Sequence, residues 1–267
     1  MKKATMATVL VLAGMMTGPE VVRAGDAKAD ITLPAIQNRT DQERLSLAQT
    51  NPMGFLELAL RNYHSNIRDY TCTFVKQELV RGSLTSEQEI SVKFREGPFA
   101  VFMQWVKNPT MVDKVLYVKD RNDNQAMVKP AGFLGWFVRS HVNRPVNSPD
   151  ATKVSRRRLD QFGFENTLKM ILEVNKKARE NGDLIFEYKG TSELEGRKTY
   201  SFERRLPDKA NYPDQHMIVH IDQEWLVPVG TFCYDGRDRL LGKYMYRDVK
   251  LNVGLPFKDF TAQACGL

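Results

Sequence analysis

Cysteine and histidine are scarce in this chain, with three Cys and four His in 267 residues. Cys72, Cys233 and Cys265 are too few for a disulfide scaffold and too widely spaced for metal-ligand motifs. At most they allow one disulfide and one leftover thiol, and spacing does not choose the pair. His64 and His141 stand alone. His216 and His220 are four apart, which would suit zinc on a helix, but their segment alternates like a strand. There they share a face more than about 10 Å apart, too far for one ion. Glycines fall at turns, so no phosphate-cradling loop is present. No Gly-x-Ser-x-Gly elbow occurs, no Cys lies in a nucleophile context, and the scattered acids nominate no catalytic pair. The sequence therefore makes no case for an enzyme, a metal or a cofactor. No nucleic-acid-binding motif occurs either, so no nucleic-acid partner is expected. Beyond the N-terminus no apolar run is long enough to span a membrane; the strongest later window, Phe133 to Val138, is ended by Arg139.

What the N-terminus does have is the order of a secretory signal. Lys2 and Lys3 precede an apolar run from Ala4 to Met16, Gly18 and Pro19 break it, and Val22-Arg23-Ala24 offers a cleavage site. Residues 1–24 are expected to be a signal peptide cleaved near Ala24, leaving a soluble, periplasmic chain that begins near Gly25. No Cys follows the run, so no lipid anchor is indicated. The formal net charge of +7 falls to +5 without Lys2, Lys3, Arg23 and Glu20 of the signal, a mildly basic balance that suits an anionic lipid surface or an acidic partner.

Residues 25–51 are polar without sustained periodicity and read as a flexible leader. From Met53 to Ile67, Phe55, Leu56, Ala59, Leu60 and Tyr63 recur at helical spacing behind Asn51-Pro52, which predicts an amphipathic helix. Strands follow at Tyr70–Val80, around Ile90, Val92 and Phe94, and at Phe99–Val106. Val115–Lys119 and Gln125–Lys129 read as a hairpin about a loop dense in Asp and Asn. Residues 131–151 then read as a long lid-like loop, and Phe164 to Arg179 as a helix stopped by Asn181-Gly182. Five more strands lie at Leu184–Lys189, Lys198–Arg204, Met217–Asp222, Val229–Tyr234 and Leu240–Lys250, with spacings that favour antiparallel hairpins. The expected fold is mainly β (α+β): one antiparallel sheet that must curl to bury its apolar face, with helices over the concave side. One domain is assigned to residues 52–260, with a tail at 261–267.

Two clusters invite a functional reading. Arg139, Arg144, Arg156, Arg157 and Arg158 make the chain most basic around its middle and are candidates for contact with lipid head groups or an acidic partner. Phe94, Val101, Met103, Trp105 and Tyr117 crowd neighbouring strands, and Phe133, Leu134, Trp136 and Phe137 form an apolar cluster in the long loop. A concave sheet lined this way can hold an acyl chain, since burial yields about 0.8 kcal/mol per CH₂.

Several segments carry a resemblance. Ile67-Arg68-Asp69-Tyr70-Thr71-Cys72-Thr73-Phe74, Val92-Lys93-Phe94-Arg95-Glu96-Gly97-Pro98, Val115-Leu116-Tyr117-Val118-Lys119-Asp120 and Tyr244-Met245-Tyr246-Arg247-Asp248-Val249-Lys250-Leu251-Asn252 resemble strands of the LolA/LolB-like superfamily of periplasmic lipoprotein carriers. Phe164-Glu165-Asn166-Thr167-Leu168 sits where that superfamily has its mid-chain helix. The resemblance spans roughly residues 53 to 260 and implies a curved half-barrel holding acyl chains beneath helices. It also implies that Arg95, at the position of a lid-latching arginine, controls access to the cavity; two residues inserted before Pro98 bear on where its side chain points. The expected activity is carriage of lipid or lipoprotein by a monomer. The alternatives are an envelope sensor or protein-docking module of the same fold, and an enzyme whose residues the sequence does not nominate.

Overall fold

The structure is a computed structural model that describes residues 40–133, 140–148, 155–209 and 212–267. The expected signal and most of the leader, together with Leu134, Trp136, Phe137 and Arg139, lie outside the described residues.

Helix α1 (Asp41–Thr50) occupies ground assigned to the leader. Its start is a capping box: Thr40 accepts from the Glu43 amide while the Glu43 carboxylate accepts from the Thr40 amide. Helix α2 (Pro52–Asn66) follows after a single residue, with the Asn51 side chain accepting from the Gly54 amide and Pro52 opening the first turn. Its buried face carries Phe55, Leu56, Leu58, Ala59 and Tyr63.

The period-two runs then form one open antiparallel sheet. Its first strands are β1 (Asp69–Val80), a two-residue β2 (Ser83–Leu84), β3 (Gln88–Arg95), β4 (Ala100–Lys107), β5 (Val112–Val118), β6 (Gln125–Pro130) and β7 (Val142–Pro145). After helix α3 (Phe164–Glu180) come β8 (Ile185–Leu194), β9 (Arg197–Arg205), β10 (His216–Asp222), β11 (Pro228–Tyr234) and β12 (Leu240–Leu251), and then a short helix α4 (Ala262–Cys265). The sheet order is β7-β6-β5-β4-β3-β1-β12-β11-β10-β9-β8, with β2 on β1. Two meanders thus run outward from a seam where β1 meets β12, and β7 and β8 are the edges. The curved half-barrel with helices is the fold expected from the sequence. The 131–151 stretch differs from its reading in part: Val142–Pro145 is a strand, paired from Gln125↔Pro145 to Val128↔Val142. Pro145 disguised it, since proline is tolerated only where a strand lies at an edge.

Register fixes which side chains face inward. Val92 lies opposite Met103, Phe94 opposite Val101, and Val101 opposite Tyr117, so these point to one face. Over β9–β11 that face is covered by α2 and α3, where Phe55, Leu56 and Ala59 meet Leu168, Ile171 and Leu172 above Tyr200, Phe202, Met217 and Val219. Asn175 of α3 is held there by Arg204, which also makes a fully buried two-point ion pair with Asp214 at 2.8 and 3.0 Å. Nearer the seam, Phe162 and Phe164 insert among Tyr70, Phe74, Phe94 and Tyr246.

The outer face is partly covered as well. Ala100, Phe102, Leu116 and Val118 pack under Phe260 and Cys265, so residues 261–267, read as a tail, belong to the packed structure. Asp69 fastens this segment by accepting from the Gly254 and Leu255 amides. All three cysteines are buried free thiols, each in a different cluster, which rules out the disulfide the sequence allowed. Burial pushes all three thiols up, Cys233 to about 12.

Candidate functional site: an apolar cavity across half the sheet

A cavity of about 430 Å³ lies on the inner face, lined by residues of every long strand from β7 across to β11. That size is within the range of small-molecule sites, about 300–1,000 Å³. Its sheet wall is apolar: Ile90, Met103, Trp105, Val115, Ala126 and Val128 all point inward by the alternation just described. The roof is the segment before α3, with Leu159, Phe162 and Gly163, and Met170 of the helix itself. Gly163 turns the chain at φ +113°, and a Cβ there would stand 3.2 Å from the Phe94 ring. Only glycine lets this roof sit so close to the sheet.

Polar groups gather at the seam end. Glu78, 1% exposed, accepts from Tyr244 Oη (2.8 Å), Ser155 Oγ (3.0 Å) and the Arg156 amide (3.2 Å), and Lys76 Nζ lies 3.2 Å from it. Arg157 reaches over the Tyr244 ring, 5.8 Å from its centroid, with Nη1 3.2 Å from Met170 Sδ. Midway along the wall, Trp105 Nε1 donates to Gln88 Oε1 at 3.1 Å, which satisfies a buried amide without filling the cavity. Near the β7 edge the lining includes Met111, 58% exposed, and Arg144.

The structure sorts the residues nominated from sequence. Met103, Trp105, Arg144, Arg157 and Arg158 line the cavity. Phe94, Val101 and Tyr117 share its face but lie in solid core. Phe94 stacks on Tyr70 and meets Phe99 and Phe162 edge-on or tilted, and Tyr117 packs against Phe99 and donates to Asn124. Arg156 turns away to donate to the Pro213 carbonyl. Phe133 is 74% exposed and is not part of the lining. Arg95 is a correction. Alternation puts it on the outer face, where it donates to the Leu255 and Gly97 carbonyls and sits over Phe257. It holds the C-terminal segment and is remote from the cavity, so a latch role does not follow. The contribution of Glu78, Ser155 and Thr231 was invisible in sequence, because the first and last strands meet only through a non-local seam.

Among curated proteins, none matches the sequence. Solved structures of similar shape include MucB of Pseudomonas aeruginosa in its complex with MucA, at 14% identity and TM-score 0.46, covering 80% of this chain and 62% of that one. The chain thus spans less than two thirds of MucB. Others are lipoprotein LppX of Mycobacterium tuberculosis (12% identity, TM-score 0.43, 78% and 99% covered) and a LolA superfamily protein from Nitrosomonas europaea (11%, 0.34, 77% and 97%). The sequence profile described as "Protein of unknown function (DUF1571)" matches residues 67–264, from the entry into β1 to α4. A match over so much of the sequence settles membership: the chain belongs to the DUF1571 family.

Proposed function

We propose that this protein binds the acyl chain of a lipid or lipoprotein in the inner-face cavity and acts as a non-enzymatic carrier in the periplasm. The observation that carries the reading is the cavity itself: an apolar wall of Ile90, Met103, Trp105, Val115, Ala126 and Val128 that stands apart from its roof, where the other half of the sheet is packed solid against the helices. An acyl chain matches such a wall, and ten buried methylenes would contribute about 8 kcal/mol before the cost of ordering them. The expected signal peptide and the mildly basic charge support an envelope location.

Filling the wall tests this. Val128 is half-buried and lines the cavity, so Val128→Trp adds bulk where the ligand is meant to lie. The fluorescent probe N-phenyl-1-naphthylamine should bind the native protein, and the variant should bind it at least tenfold more weakly with an unchanged melting curve. Native mass spectrometry of protein purified from its own envelope should show a lipid adduct. Undiminished probe binding by the variant, together with no adduct on the native protein, would leave the docking-module reading in its place.

A further inference from the structure

Arg157 is the cavity's unusual residue. It is half-buried, and its contacts are a thioether at Nη1, an aromatic ring beneath the guanidinium, and its own backbone amide on Ser155 Oγ. Among the described residues it forms no ion pair, although two carboxylates lie nearby. Glu78 already accepts from Tyr244, Ser155 and the Arg156 amide and pairs with Lys76. Asp214 is bound at both oxygens by Arg204. The other cations of the lining differ: Arg158 is exposed and forked onto Asp160, Lys76 is paired with Glu78, and Arg144 is exposed at the β7 edge, donating to the Asn143 carbonyl. A guanidinium has five donors in a planar fork suited to two-point contact with a carboxylate or phosphate. None of its nitrogens is buried without a partner, so the donors left open at this fork are reachable by a ligand in the cavity. The purely structural alternative, an arginine packing only through its stem, leaves its open donors facing the cavity without purpose.

We propose that the cavity is selective for amphiphiles with an anionic head, a carboxylate or a phosphate, which Arg157 receives at the seam end while the alkyl chain lies along the wall towards β7. This rests on the acyl-binding reading above and narrows it, because a neutral diacylglyceryl group would leave Arg157 unanswered. Thr231, which lines the same end, adds a hydroxyl beside it, while the Ser155 proton is already given to Glu78.

The experiment displaces N-phenyl-1-naphthylamine from the full chain with hexadecanoate, 1-palmitoyl lysophosphatidate, hexadecan-1-ol and inorganic phosphate. The expected result is that both anionic amphiphiles bind at least tenfold more tightly than the alcohol. Inorganic phosphate alone should not displace the probe, which separates an amphiphile's head from a free anion site. In Arg157→Gln the preference should fall to within twofold while the alcohol's affinity is retained. Arg157→Lys should keep part of the preference, and Arg156→Gln, whose parent side chain turns away to the Pro213 carbonyl, all of it. Equal affinities for hexadecanoate and hexadecan-1-ol in the native protein would overturn the proposal and leave acyl binding standing, and this arm needs no variant to fold. If none of the amphiphiles displaces the probe, both readings fail.

Discussion

His220 shows how one side chain can set a property of the whole. On β10 it faces the β8–β9 hairpin, where its Nδ1 lies 3.1 Å from Ser192 Oγ and 3.2 Å from Thr199 Oγ1. Phe232 packs edge-on against its ring from the β11 side, and Leu194 reaches the neighbouring Gly230, so the groups packed about the half-buried ring are uncharged. Burial disfavours the charged ring and lowers its pKa from the usual 6.5. The unfolded chain therefore binds the proton more readily than the folded one. The associated stability is present above about pH 6.5 and is lost as pH falls through the lowered value. Thermal melts between pH 7.5 and 5 should show the native protein losing stability faster than His220→Gln, whose amide can keep the hydroxyl contacts. Parallel curves for the two would remove His220 from the account. The spacing of His216 and His220 was legible in sequence, but this consequence was not, because it depends on which hydroxyls the hairpin brings alongside.

At the scale of elements, alternation made most strands legible to within a few residues, and the exceptions have physical causes. Helix α1 carries little apolar surface, with Ala48 its one buried residue, so its signal was the capping box alone. Strand β7 is four residues long and ends in proline. The C-terminal segment looked like a tail because it meets the sheet through a few anchors, Phe260, Cys265 and the carbonyl of Leu255. Those anchors make a prediction that the carrier resemblance would not. Arg95→Ala should remove the bond to Leu255 and the stacking over Phe257, lowering stability by about 1–2 kcal/mol in urea titrations. Probe binding in the cavity should be unaltered. A variant with native stability and changed probe uptake would instead restore Arg95 as a latch.

For the whole molecule, the cavity was only half legible. Met103 and Trp105 could be nominated because register on one face follows from alternation. Phe94, Val101 and Tyr117 obey the same alternation, yet Phe99, Phe162 and Phe164 fill the space before them, and no local pattern announces that. The seam is the deeper reason, since it joins residues such as Tyr70 and Leu251 that are far apart in sequence. A chain ending at Arg239 would lack β12 and leave both β1 and β11 with open edges. Such a chain should show no cooperative thermal transition; a sharp one would mean that the two meanders fold independently. The seam also gives the protein a timetable. β1 ends at Val80 and β12 begins at Leu240, so in the exported chain proposed above about 160 residues must emerge between them before the seam can close. For that interval β1 carries an unpaired edge beside its neighbour β3, the kind of surface that recruits other chains. Lys76 and Glu78, charges turned towards the future interior, discourage wrong partners until Tyr244 arrives on the last strand to claim Glu78.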